Sequence, residues 1–192
     1  MHHSPVKRSE PARHILVVGA TGALRPAAID LATAGDTVVA LARDTARLGQ
    51  LVAASDGHVI PVPVDYRDSE LLGRALRASE PLDQALIYAP TAAPGVITLI
   101  GAHVRGTVVH VCTSEAGRPG IDPPVDDGRD LQLLLGWART GSGTSRWHTA
   151  EEISTAALQV LRTRRGQTLG HIRPWSARPE PETGDPEPET SH

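Results

Sequence analysis

The chain has 192 residues, 40% of them hydrophobic and 21% charged, which suits one globular domain with its own core. Of its 19 basic residues only Lys7 is a lysine. Chemistry that needs a lysine in the body of the fold is therefore excluded: a Schiff base, a phosphate-loop Lys, or the Tyr-x-x-x-Lys pair of many reductases. The formal net charge is −3. Its acidic excess collects in residues 176–192, where Glu180, Glu182, Asp185, Glu187 and Glu189 oppose Arg178. The remainder is near neutral, which is no footprint for nucleic acid or an anionic membrane. A single cysteine, Cys112, permits no internal disulfide, so a reducing cytoplasm is the expected compartment. No apolar run approaches the roughly 20 residues of a membrane span. Aromatic residues are scarce: Tyr66, Tyr88, Trp137, Trp147, Trp175 and no Phe.

Residues 1–12 read as a flexible lead-in without the apolar stretch of a signal peptide. A short apolar run at 14–18 predicts a buried strand, and apolar positions at helical spacing over 23–34 predict a helix. The pattern then alternates: strand 37–41, helix 45–54, strand 58–64, helix 68–78, strand 84–88, helix 92–103, strand 107–112. Short strands that are apolar throughout, separated by helices, predict parallel pairing with helices on both faces. The fold class is thus α/β, a doubly wound parallel sheet of six or seven strands in one domain, residues 13–175.

After a Gly/Pro-rich loop at 114–127, residues 130–138 read as a helix and 145–147 as the start of a sixth strand. Thr149 with Glu152 three residues later forms a capping box for a helix to about 164. A last strand is expected within 167–172. The tail, 176–192, contains the pentapeptide PEPET twice and reads as disordered.

The strongest local signal is GATGALR, Gly19–Arg25, between the first strand and the first helix. Parallel sheets bind ligands at the carboxyl ends of their strands. A helix N-terminus presents unpaired N–H groups to a diphosphate, and glycine admits close backbone approach. Gly19 makes the turn and Gly22 the close approach. Thr21, Ala23 and Leu24 complete the contact. Strand two ends V-V-A-L-A-R-D, so Ala42 stands where an NAD site usually places a carboxylate, and Arg43 follows. A guanidinium suits a 2′-phosphate, with Arg25 as a second cation. The expected cofactor is NADP(H), with NAD(H) as the alternative, since Asp44 lies one residue further on.

These residues resemble the short-chain dehydrogenase/reductase superfamily, in particular its atypical members. The resemblance spans about residues 13–173. It rests on GATGAL (19–24), VVALAR (38–43), VDYRD (64–68), LIYAP (86–90) and VCTS (111–114). The resemblance implies a Rossmann fold, a nicotinamide cofactor and a small-molecule substrate. It places Asp65, with Tyr66 beside it, near the adenine. It puts Ala89 and Pro90 along the cofactor ribose, and Thr113 and Ser114 beside the nicotinamide. Look-alikes are commonly homodimers through their fourth and fifth helices. The departures are Arg25 in place of the third glycine of the turn and the missing Tyr/Lys pair.

Candidate proton donors are Ser114, Tyr88 and His148. Their ordinary readings are a turn serine, a core-edge tyrosine and a loop histidine. His110 and Cys112 read as interior residues, and no Cys/His spacing suggests a metal. Trp137 and Trp147 form either an aromatic wall for substrate or part of the core or an interface. The acids of the 114–127 loop, Asp122, Asp126 and Asp127, would suit a cationic, iminium-like substrate. The expected function is an NADP(H)-dependent reductase of a C=O or C=N bond. The alternatives are a nucleotide-binding regulator or scaffold without redox activity, and a cyclase or isomerase reusing the pocket.

Overall fold

The computed structural model describes residues 12–121, 127–141 and 143–180. Nearly all of the predicted lead-in, most of the tail, and Asp122 and Asp126 lie outside the described residues. The strands are β1 (His14–Val18), β2 (Thr37–Ala42), β3 (Val59–Pro63), β4 (Gln84–Ile87), β5 (Val108–Cys112), β6 (Asp130–Leu135), β7 (Ala138–Arg139), β8 (Ser145–Arg146) and β9 (Gln167–Leu169). The helices are α1 (Arg25–Thr33), α2 (Thr45–Ala53), α3 (Ser69–Ala78), α4 (Pro94–His103) and α5 (Ala150–Thr163). Seven strands form one sheet in the order β3-β2-β1-β4-β5-β6-β9, and every neighbouring pair is parallel.

The side-chain period of two divides each strand between two cores. Ile15 and Val17 join Val38, Ala40, Val109, Val111 and Leu133 against α1, α2 and α5. Leu16 and Val18 join Val39, Leu41, Ala85 and Ile87 against α3 and α4. Burial on both faces is why β1 is apolar at Ile15–Val18, each fully inaccessible. Such a side chain contributes about 1.5–3 kcal/mol on burial. β3 lies at the sheet edge, where Pro61 and Pro63 cost no interior ladder bond.

Helix starts follow their caps. Asp44 accepts from Arg47 N at 3.0 Å to open α2, and Asp68 accepts from Leu71 N at 2.9 Å to open α3. The capping box predicted at Thr149 and Glu152 is formed at α5.

Two expectations are corrected. Residues 130–138, read as a helix, form β6 followed by Gly136, Trp137 and β7. Leucine carries good helix propensity, but the slot beside β5 rewards the alternation of Leu131, Leu133 and Leu135, which point into the α5-side core. Residues 145–146 do pair as a strand, yet with β7 in an antiparallel hairpin outside the main sheet. Among the described residues, the crossover from β5 to β6 holds a 3₁₀ turn at Ser114–Gly117 and no α-helix.

Candidate active site

The carboxyl edge of the sheet gathers the candidate residues in spatial order. Asp65 and Tyr66 follow β3, Arg43 follows β2, and the glycine turn follows β1. Tyr88, Ala89 and Pro90 follow β4, and Thr113 and Ser114 follow β5. All five aromatic residues of the chain lie at or beyond this edge.

Gly19 has φ +85°, and a Cβ there would meet the Tyr88 carbonyl oxygen at 2.7 Å. Both facts demand glycine. The turn closes through Gly22 N to Gly19 O at 3.0 Å and Arg25 N to Gly22 O at 3.0 Å. Gly22 is exposed, and the nearest atom to a Cβ placed there is Gly19 O at 3.8 Å. Its α-hydrogen side therefore opens to solvent. Helix α1 has no side-chain cap at Leu24; Arg25 N is taken by Gly22 O and Pro26 has no N–H, so the Ala27 N–H is the group of its first turn left without a partner among the described residues. This cradle fits a dinucleotide diphosphate. A residue not singled out from sequence steadies it: buried Ser154 on α5 donates to the Ala23 carbonyl at 3.0 Å.

At the β2–β3 end, Asp44 is committed to capping α2 and to an ion pair with Arg47 at 3.4 Å. Arg43 is exposed, with no hydrogen-bond or ion-pair partner among the described residues. The Arg67 guanidinium pairs with Asp65 at 2.6 Å and holds its carboxyl down at about 2. Tyr66 shares a 2.7 Å hydrogen bond with the Thr91 hydroxyl, which joins the loops after β3 and β4.

A cavity of about 290 Å³ opens beyond the ends of β4, β5 and β6. The structure brings the three candidate donors, Tyr88, Ser114 and His148, together in its wall, along with Thr113. Leu135, Ile153 and Trp147 supply apolar surface. The donors differ in availability. The Tyr88 hydroxyl has no protein partner among the described residues, and burial, then the nearby Tyr66, pushes its pKa up, so the phenol keeps its proton. Ser114 is buried, and its Oγ accepts from Arg178 Nε at 2.9 Å, which leaves the hydroxyl hydrogen to donate. His148 is engaged at both ring nitrogens, Nδ1 with Glu152 and Nε2 with the Leu169 carbonyl, each at 3.2 Å. It is a packed structural residue of the wall, neither a free donor nor a solvated loop histidine.

Arg178 is the residue that sequence reasoning missed. It belongs to the segment read as tail, yet residues 176–180 are described, and its guanidinium enters the cavity wall. Trp147 and Trp175 lie on it with ring centroids at 5.1 and 5.2 Å, within cation–π range. Its Nη2 pairs with Glu115 at 2.9 Å. Trp147 Nε1 also donates to the Glu180 carbonyl at 3.1 Å. The one signal available from sequence was a lone arginine among acids.

Trp137 is fully buried, stacks edge-on to Trp175 at 6.0 Å, and leaves its ring N–H without a partner among the described residues. It is core; Trp147 is the aromatic wall. Asp127, expected to meet substrate, accepts from the backbone N of Arg129 and Asp130 at the amino end of β6. That is the opposite edge of the sheet from the cavity. His110 and Cys112 lie together on β5, where burial lowers the imidazole and pushes the thiol up to about 11. No group of acids, histidines and cysteine among the described residues is arranged to hold a metal, and no described helix is long and apolar enough to cross a membrane.

No family model and no curated protein sequence matches the chain. Solved structures do. A double variant of a Serratia marcescens short-chain dehydrogenase/reductase superposes with a TM-score of 0.66 at 13% identity, covering 84% of this chain and 97% of that one. A Burkholderia thailandensis oxidoreductase of the short-chain dehydrogenase/reductase family gives 0.59 at 22% identity, over 84% and 91%. Escherichia coli serine dehydrogenase gives 0.60 at 16% identity, over 82% and 96%. The seven-stranded parallel sheet with helices on both faces is thus the Rossmann fold in the form that short-chain dehydrogenase/reductases share.

Proposed function

We propose that this protein is an NADP(H)-dependent reductase of the short-chain dehydrogenase/reductase type, acting on a C=O or C=N bond of a small molecule. The observation that carries the reading is the Tyr88 hydroxyl, without a partner among the described residues, in the same cavity wall as the Ser114 hydroxyl, where the wall begins at the end of β4 next to a glycine turn that fits a diphosphate. Gly19, Thr21, Gly22, Ala23, Leu24 and Arg25 would hold the diphosphate. Asp65, Tyr66, Ala89 and Pro90 would flank the adenosine and ribose, with Thr113 beside the nicotinamide. The commitment of Asp44 to its helix, with Arg43 free, supports a 2′-phosphate over a 2′-hydroxyl.

When bound, the cofactor supplies the hydride. The chain's task is to orient substrate and to supply a proton. Ser114 donates a hydrogen bond to the substrate oxygen or nitrogen while its own oxygen is held by Arg178. Tyr88 passes its proton to the same atom as negative charge develops there, and solvent restores it. The Arg178 charge stabilises that developing charge in a water-poor wall. In this assignment an arginine from the C-terminal segment provides the positive charge that no lysine can.

The test is titration with NADPH and NADH, then loss of reduced-nicotinamide absorbance with a panel of small ketones and imines. Tight NADPH binding with no turnover across the panel would overturn it, as would a reaction that Tyr88→Phe leaves unchanged. The β5–β6 crossover, without an α-helix among its described residues, and the engaged His148 favour a second reading, a dinucleotide-binding protein without redox turnover. Association as a homodimer in a reducing cytoplasm completes the proposal, and sedimentation of the full chain checks the dimer.

A further inference from the structure

We propose that the cavity binds substrates through a carboxylate, and that Arg178 is the residue that recognises it. The inference names the substrate class of the reductase proposed above. It rests on that reading for the reaction but not for the binding.

Among the described residues that line the cavity, Arg178 is the one that is always charged, and it is a cation; His148 beside it is engaged at both ring nitrogens. Arg178 uses Nε on Ser114 and Nη2 on Glu115, while Nη1 has no partner among the described residues. Two indole faces hold the guanidinium plane in place, so little side-chain entropy remains to be lost on binding. A planar fork fixed in this way matches a carboxylate.

Glu115 is the internal competitor. Its side chain is half exposed, and its other oxygen lies 3.8 Å from Arg118 Nη1. It can therefore swing toward Arg118 and yield Arg178 to an incoming carboxylate without losing every cationic partner. The rest of the wall, Leu135, Ile153 and Trp147, suits an apolar body attached to that head. The 2′-phosphate of a cofactor is not the anion in question. Arg43 follows β2, three strand spacings from β5, whose end carries the Ser114 that Arg178 holds, or about 14 Å at 4.8 Å each.

The test uses the full chain and its own fluorescence, because Trp147 and Trp175 both lie against Arg178. The probes are 4-methyl-2-oxopentanoate and its uncharged methyl ester, titrated with and without NADPH. Saturable quenching by the carboxylate, at least about tenfold tighter than by the ester, is expected. Arg178→Gln should abolish that preference while leaving NADPH affinity unchanged, and Arg178→Lys should restore part of it, since charge survives but the fork does not. Glu115→Gln removes the competitor and should tighten carboxylate binding several-fold, a gain that a damaged fold does not produce. Equal binding of acid and ester, or an acid preference that survives Arg178→Gln, overturns the inference. So does an Arg178→Gln protein that loses thermal stability with its preference intact, which would make the arginine a clasp for the C-terminal segment. Carboxylate binding without any NADPH binding would instead sink the reductase and leave the carboxylate site standing.

Discussion

The two ends of the sheet's carboxyl edge are built in opposite ways. At the β1–β3 end, partners are near neighbours in sequence: Gly22 on Gly19, Asp44 on Arg47, Asp65 on Arg67. At the β4–β6 end, Ser114 meets Arg178 across 64 positions and Arg173 donates to the Gly117 carbonyl across 56. The first end is built mainly from turns closed within three residues, with Ser154 reaching the cradle from α5. The second exists only when the chain is folded, because no short segment of it holds more than one wall. On the proposed reading, a dinucleotide suits the first construction, since it brings its own shape and charge. A pocket that must select a substrate needs walls from several segments.

Glycine substitutions should separate the two ends most sharply. A Cβ at Gly136 would collide with the His171 carbonyl, and one at Gly170, where φ is +77°, with the His148 ring. Either change to Ala should cost about 3 kcal/mol or more and erase the cavity. Gly22→Ala meets only an ordinary contact with Gly19 O at 3.8 Å and should leave the melting temperature nearly unchanged while weakening NADPH about tenfold. Calorimetry beside cofactor titration checks both, and a stable Gly170→Ala protein would break the distinction.

Tyr88→Phe should lower kcat by about a hundredfold at constant NADPH affinity. Steady-state kinetics on the first substrate found, with cofactor binding measured separately, decides this. Arg43→Ala should weaken NADPH by about 1.5–3 kcal/mol, the scale of a charge-assisted bond, and leave NADH unmoved. A parallel loss for both cofactors would mean Arg43 does not read the phosphate.

The smallest effect concerns acid stability at the pocket's rim. Hydrogen bonds from Arg146, then from Thr149 N, hold the Glu152 carboxyl down at about 2, below its ordinary 4.5. A depressed folded-state pKa gives stability that is present above 4.5 and lost as pH falls through about 2. The group is over a third exposed, so solvent screening leaves about 1 kcal/mol or less. Glu152→Gln should flatten the denaturation free energy across that window, and an unchanged pH profile would count against the capping network.

The legibility of the sequence followed the same division. The glycine turn, the β1–β5 alternation and the capping box at Thr149 and Glu152 were readable because period and capping are local properties. The strand at 130–135 was misread because a run rich in Leu suits helix and buried strand alike, and only the vacancy beside β5 distinguishes them. Tyr88, Ser114 and His148 were nameable as polar groups near strand ends. Their different availability was not, since Arg178, Glu152 and the Leu169 carbonyl reach them from distant segments.

By itself, the sequence determined the doubly wound parallel sheet, the glycine cradle and the absence of a lysine in the fold, because these depend on periodicity, backbone freedom and composition. Only the tertiary structure decided that an arginine from the acidic C-terminal segment fills the cationic place beside Ser114. Its charge is placed there by two indole faces and a carboxylate that converge only after folding, and such convergence leaves no periodic trace in the chain.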